Sequence, residues 1–177
     1  MLMPARLKSL LDREHVSYSA IPHAPAYGAQ YAASVMHVHG REVAKTVVLR
    51  MKNETVAHDG EDMLLAVLPA SYRINLDKLA VAVRSRVELV DEYECNTLFP
   101  DCEGGVFLAF GELYDLPVYM DESLAGYPNI VLSAGIKSES VRLSSADFIR
   151  VVRPKICSFA EGSRTRTCEE LAPVIMS

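Results

Sequence analysis

"EVAKTVVLRM" (residues 42–51) and "DMLLAVLPA" (residues 62–70) are two apolar runs joined by the charged, turn-forming stretch "KNETVAHDGED". Runs of this length and β-branched content predict strands, and the short polar connection predicts that the two are neighbours in one sheet. A parallel crossover would need a dozen or more intervening residues, usually helical. The same texture returns in "NIVLSAGIKSESVRLSSADFIRVV" (residues 129–152). It reads as a strand, a glycine turn, a second strand and a short helix capped near Ser144 or Ser145. Strands that arrive in adjacent groups predict an α+β domain on an antiparallel or mixed sheet rather than a doubly wound parallel one.

Around this frame the remaining elements follow from periodicity. Leu7, Leu10 and Leu11 fall at helical spacing within residues 3–14. "HVSYSAIPHAP" (15–25) gives a short strand running into a loop. "PAYGAQYAASVMHVHG" (25–40) predicts a second helix, with Ala29, Ala32, Ala33 and Met36 on its packed face and Gly40 as its stop. Asn75 is placed to cap a helix from Leu76, with Leu79 and Val83 facing inward. "RVELVD" (86–91) fits a short strand or a helix end. The glycine-rich "FPDCEGGVFLAFGELYDLPVYMDESL" (99–124) predicts short strands joined by tight turns. After Pro154 the pattern fades, so residues 1–154 are expected to form one domain and residues 155–177 a weakly patterned tail or a last short element.

The 177 residues carry 18 Lys and Arg against 23 Asp and Glu, a formal charge of -5. That balance argues against a general nucleic-acid coat, though a local basic site can still meet one end of an RNA. "MLMPARLKSLLDREHV" is interrupted by charge too often for a signal peptide, and no apolar run reaches the roughly 20 residues of a membrane span. Cys95, Cys102, Cys157 and Cys168 are too scattered for a disulfide scaffold, so a reducing cytoplasm is the expected setting. "NET" at Asn53 is read as a chance match to a glycosylation acceptor.

Familiar motifs are missing. There is no Walker-type loop and no GxGxxG after a strand, and "EGG" (103–105) lacks the lysine and helix start of a phosphate cradle. His37 and His39 diverge if helical, and the cysteines offer no tetrahedral ligand set, so no metal is expected. Ser133 or Ser138 with His23 and Asp121 would make a triad, but without a nucleophile elbow. Nothing around Cys102 points to a lowered pKa. What rises above background is a set of polar residues at element ends: His23, Tyr27, Lys45, Ser133, Gly135, Lys137 and Ser138. Taken singly, His23 can cap, Tyr27 can pack and Lys137 can be a solvated turn residue. Lys45 shares strand parity with Val43, Val47 and Leu49. A long amine on that side either snorkels at the strand edge or lines a cavity.

Five segments in order carry a resemblance: "HAPAYGAQYAA", "VHGREVAKTVVLR", "AVLPASYRINLDKLA", "GGVFLAFGELYDLPVYMDESL" and "NIVLSAGIKSESVRLSSADFIRVV". Together they span roughly residues 20–152, and the chain resembles the YbaK/EbsC family of aminoacyl-tRNA deacylases, related to the editing domain of bacterial prolyl-tRNA synthetase. The resemblance implies a barrel-like, largely antiparallel or mixed sheet surrounded by helices. It implies hydrolysis in trans of the ester of mischarged aminoacyl-tRNA carrying a small amino acid, with water attack assisted by the tRNA's own 2′-hydroxyl. No metal, cofactor or protein nucleophile is implied. Lys45 and Gly135 take the catalytic positions; His23, Tyr27, Gly111, Ser133, Lys137 and Ser138 take substrate-binding ones. The implied partners are the 3′-terminal end of an aminoacyl-tRNA and an aminoacyl-tRNA synthetase, with no DNA or membrane, and the implied state is a monomer or weak dimer. The chain departs from the family pattern at Gly28, Ala109, Ile136 and Lys137, where threonine, proline, threonine and histidine are common. Those departures favour a second reading, a non-catalytic module of the same fold that binds a tRNA end, a nucleotide or a protein.

Overall fold

A computed structural model describes residues 3–52 and 63–162. In chain order the elements are α1 (Ala5–Arg13), β1 (Tyr18–Pro22), α2 (Ala29–Val35), β2 (Ala44–Lys52), β3 (Met63–Pro69), β4 (Tyr72–Ile74), α3 (Leu76–Val83), β5 (Arg86–Leu89) and α4 (Glu92–Leu98). A 3₁₀ turn (Gly111–Tyr114) follows, then β6 (Val118–Asp121), α5 (Glu122–Ala125), β7 (Asn129–Ile136), β8 (Glu139–Ser144), α6 (Ser145–Val152), β9 (Lys155–Cys157) and β10 (Ala160–Gly162). The fold is α+β, with mixed and antiparallel sheets surrounded by helices.

The runs "EVAKTVVLRM" and "DMLLAVLPA" form antiparallel neighbours, from Ala44 opposite Pro69 to Arg50 opposite Met63. The connection at residues 53–62, with Asn53, lies outside the described residues. All seven residues of β3 are buried, because β2 and β6 flank it and side chains cover both of its faces. Met63, Leu65 and Val67 enter the main core with Leu7, Leu10, Leu11, Phe110 and Phe148. Leu64, Ala66 and Leu68 enter a second core with Leu49, Leu79 and Phe159. This period-two division explains why an unbroken apolar run is a strand and not a helix.

The larger sheet runs β5-β2-β3-β6-β9, and β1-β8-β7 forms a separate antiparallel sheet. The two meet at one parallel bridge between Val43 and Val131. Of the expected barrel-like, largely antiparallel or mixed sheet, the mixed and antiparallel pairing is present, and among the described residues the strands form separate sheets without a closed ring. β4 and β10 make a third, two-stranded sheet.

Several local expectations hold. Asn75 Oδ1 accepts the Lys78 amide at 3.0 Å, and Ser144 Oγ accepts the Asp147 amide at 3.0 Å, which caps α3 and α6. "RVELVD" resolves into strand β5.

Others differ. Helix α2 ends at Val35, with His37 already left-handed at φ 54°, so Gly40 does not stop it. Gly40 instead packs against Ser71, whose Cβ would lie 3.2 Å from an added methyl. The region expected as short strands (99–124) follows helix α4, which Asp91 caps; it holds an irregular segment, the 3₁₀ turn, the single strand β6 and helix α5. Buried Phe99, Leu108, Ala109 and Phe110 hold that segment in place without a ladder, and Phe99 packs on Phe107 and Tyr114 at 5.1 and 4.3 Å. Gly135 is not in the hairpin turn. It sits in a bulge of β7 with φ 84°, and Lys137 and Ser138 make the turn.

Past Pro154 the chain continues as β9 beside β6 and β10 beside β4. Buried Asp121 fixes this return by accepting the Phe159 and Ala160 amides at 2.8 and 2.7 Å.

At Gly111 a Cβ would fall 2.1 Å from the Leu116 carbonyl oxygen and 2.6 Å from Val118 Cγ2. Gly111→Ala is expected to lower stability by about 3 kcal/mol, the upper range for overpacking against backbone. Denaturant unfolding measures it, and an unchanged midpoint would contradict this packing.

Candidate functional site

The two sheets diverge from the Val43–Val131 bridge, and the wedge between them is a cavity of about 240 Å³. The start of β2 forms one wall with Val43, Ala44, Lys45 and Thr46. The β7–β8 hairpin forms the other with Ser133, Ile136, Lys137 and Ser140. Ala29 and Ala32 of α2, with Ala26 and Gly28 before it, close one side, and Gly105, Val106 and Phe107 close another. The alanines keep α2 close to the strands, so the space is small and mostly apolar with a few convergent polar groups. That composition is characteristic of small-ligand sites.

Lys45 combines the two readings left open by strand parity. It lines the cavity, and its amine donates to the carbonyls of Tyr72 and, at 3.5 Å, Ala70, at the β3–β4 turn. Burial, and secondarily the nearby Arg73 guanidinium, hold its pKa below the ordinary lysine value. A cation so placed favours an anionic or carbonyl partner that replaces lost water. Lys137 adds a second positive charge at the wall, its ammonium 4.6 Å from the ring of Tyr27. Tyr27 is 76% exposed.

His23 follows β1 and lines the cavity. Its amide donates to the Ser138 carbonyl at 2.9 Å, extending the β1–β8 ladder beyond Pro22. The ring then reaches back to Ser140, the residue opposite Ile21, with Nε2 3.0 Å from Ser140 Oγ. Ser133 of β7 lies directly opposite Ser140 of β8. Ser133 Oγ accepts the Gly135 amide at 3.0 Å.

The structure thus brings Lys45, His23, Ser133 and Lys137 to one cavity, with Tyr27 against Lys137. Ser138 contributes a carbonyl to the ladder and Gly111 lies in the 3₁₀ turn; neither is among the lining residues. Gly135 faces the opposite side. A Cβ there would lie 3.2 Å from both Cys102 Sγ and Pro4, its amide is taken by Ser133, and its carbonyl accepts the Glu103 amide at 2.8 Å. Asp121 is engaged with the Ser123, Phe159 and Ala160 amides and does not join the histidine. Cys102 is pushed up in pKa, chiefly by burial, so its thiol is the unreactive form at neutral pH. Among the described residues no group of three or more His, Cys, Asp or Glu could hold a metal.

Ser140 and Thr46 were missed by the sequence reading. Ser140 was legible in principle, since it pairs across the hairpin with Ser133 and shares strand parity with Ser138.

Residues 23–151 match the aminoacyl-tRNA editing domain family. The chain is 25% identical over 156 residues to the multifunctional Ser/Thr-tRNA deacylase ProXp-y of Escherichia coli K12, covering 87% of this chain and 90% of that one. The solved structure of a candidate trans-editing enzyme for prolyl tRNA synthetase matches with a TM-score of 0.72 at 21% identity, over 89% of this chain and 96% of that one. A hypothetical protein of solved structure matches with a TM-score of 0.77 at 13% identity, over 88% of this chain and 99% of that one. At these identities the structural likenesses bear on the fold alone. With the family match spanning both walls of the cavity, the chain belongs to the aminoacyl-tRNA editing domain family.

Proposed function

We propose that the protein is a free-standing deacylase that hydrolyses the ester of mischarged aminoacyl-tRNA bearing a small amino acid. Editing hydrolysis of mischarged tRNA is supported at the level of the family. The observation that carries the finer reading is the cavity, about 240 Å³ and narrowed by Ala26, Ala29, Ala32 and Ala44. A side chain the size of alanine, serine or threonine fits such a space beside an ester. Thr46 and Ser133 offer hydrogen bonds to a hydroxylated one.

The charges fit the other end of the substrate. In a chain of formal charge -5, Lys45 and Lys137 both line the cavity and Arg73 lies near enough to Lys45 to act on it, a local positive charge that would draw the phosphates of a tRNA terminus. Two carbonyls fix the Lys45 amine, and its third N–H is available to a bound substrate. An ester of this kind is activated, so placement of water and a cation at the developing oxyanion supplies most of what is needed. The neighbouring 2′-hydroxyl of the tRNA can orient that water. The Lys137–Tyr27 pair would meet the terminal nucleotide, stacking its base on the exposed ring.

Three experiments test this reading. The protein should hydrolyse alanyl-, seryl- or threonyl-tRNA well above background and leave phenylalanyl-tRNA intact; loss of none of the small esters would overturn it. Ala32→Leu adds three carbons to the cavity wall and should slow threonyl-tRNA hydrolysis about 10-fold or more, since a single methylene too many already costs about that much. An unchanged rate would place the acyl group elsewhere. Lys45→Met should reduce kcat/KM about 100-fold, in line with removal of a transition-state donor. Its unfolding midpoint should stay near that of the wild type; if the variant instead unfolds, the lysine is structural.

A further inference from the structure

The contact between His23 and Ser140 takes no part in the scheme so far. His23 Nδ1 lies 2.8 Å from the Ala24 carbonyl oxygen. A carbonyl can only accept, so Nδ1 carries the proton. In the neutral ring Nε2 is then a bare lone pair, and it faces Ser140 Oγ at 3.0 Å. The serine must donate to it. This is the arrangement of a hydroxyl activated by a base that a third group orients. It lies within the cavity wall, since both residues line that space and Ser140 is only 4% exposed. The backbone locks the geometry: Ile21 opposite Ser140 and the His23 amide on the Ser138 carbonyl leave the ring little freedom.

Resting on the deacylase reading, we propose that Ser140 and His23 form a proton relay that activates the hydrolytic water. Ser140 Oγ, which donates to the imidazole, keeps lone pairs to accept a hydrogen bond from water in the cavity. As the water oxygen bonds to the ester carbonyl carbon, its proton passes to Ser140 Oγ, and the serine's own proton moves to His23 Nε2. Collapse of the tetrahedral intermediate breaks the carbon–oxygen bond to the ribose. The imidazolium proton returns through Ser140 to the departing ribose oxygen. The products are free amino acid and tRNA, and both side chains end as they began. Ser140 touches the reacting water; His23 acts through it.

Single-turnover hydrolysis of seryl-, threonyl- and alanyl-tRNA by wild type, Ser140→Ala, Ser140→Thr and His23→Ala tests the relay. Ser140→Ala and His23→Ala should each lose about 100-fold in rate at saturating enzyme, within the range for general-base catalysis, with little change in apparent affinity. The double variant should be no worse than either single one, because the two act as a unit. Free imidazole should restore His23→Ala and leave Ser140→Ala unchanged. Ser140→Thr keeps the hydroxyl, so it should retain most of the rate even if Ser140→Ala folds poorly. Retention of the rate by Ser140→Ala, or a loss through affinity alone, would overturn the relay. An acyl adduct on Ser140 after acid quench would also overturn it, in favour of direct attack by the serine. A wild type inactive on all three esters would overturn the deacylase reading and the relay with it. A wild type that is active while both alanine variants are equally active would overturn the relay alone.

Discussion

The junction between the start of β2 and β7 is the constraint on which the rest depends. There the Val131 amide donates to the Glu42 carbonyl at 2.9 Å, and the Ala70 amide donates to the Val43 carbonyl at 2.7 Å. The first bond ties the two sheets together at the Val43–Val131 bridge, and the second continues the β2–β3 pairing within the larger sheet. Each sheet then follows its own twist. The gap that opens is a cavity of about 240 Å³. Its walls are held from behind: β2 by the fully buried β3, and the hairpin by β1 on one edge of β8. A site built on such paired strands holds its side chains more tightly than a loop would.

The cavity's chemistry follows from that geometry. Lys45 lies one residue past Ala44, at the point where the β3–β4 turn presents carbonyls instead of side chains. Burying an ammonium there is costly unless hydrogen bonds replace its water. The turn supplies two, and the remaining deficit is what a substrate oxyanion or phosphate can fill. On the opposite wall the antiparallel register stacks His23, Ser140 and Ser133 side by side. A lysine and a hydroxyl–imidazole pair therefore line one space with apolar flanks, where electrostatic effects are stronger than in water.

Much of the fold was legible because period-two and period-3.6 patterns record burial directly. "DMLLAVLPA" reads as a strand, which the structure buries on both faces, and Asn75 and Ser144 announce helix starts by the one bond each makes. What was not legible depends on tertiary support. Residues 99–110 look like strands because they are apolar, yet their aromatic rings anchor an irregular path. The separation into sheets, against an expected barrel, depends on twist and on one bridge that no local pattern encodes. At the site, Lys45 and His23 stood out as polar groups at element ends. Ser140 did not, since its importance comes from the partner that the β1–β8 register brings to it. Gly135 was expected to face the ester from a turn; the bulge that holds it turns its amide onto Ser133 instead.

The most direct test of the account is a structure with a non-hydrolysable seryl-adenosine amide bound, the ester oxygen replaced by nitrogen. The account predicts the seryl side chain between Ala29, Ala32 and Thr46. It also predicts the acyl carbonyl carbon within one water of Ser140 Oγ, and the adenosine on the Lys137 and Tyr27 side. An analogue seated outside the wedge between β2 and β8, with the cavity empty, would contradict it.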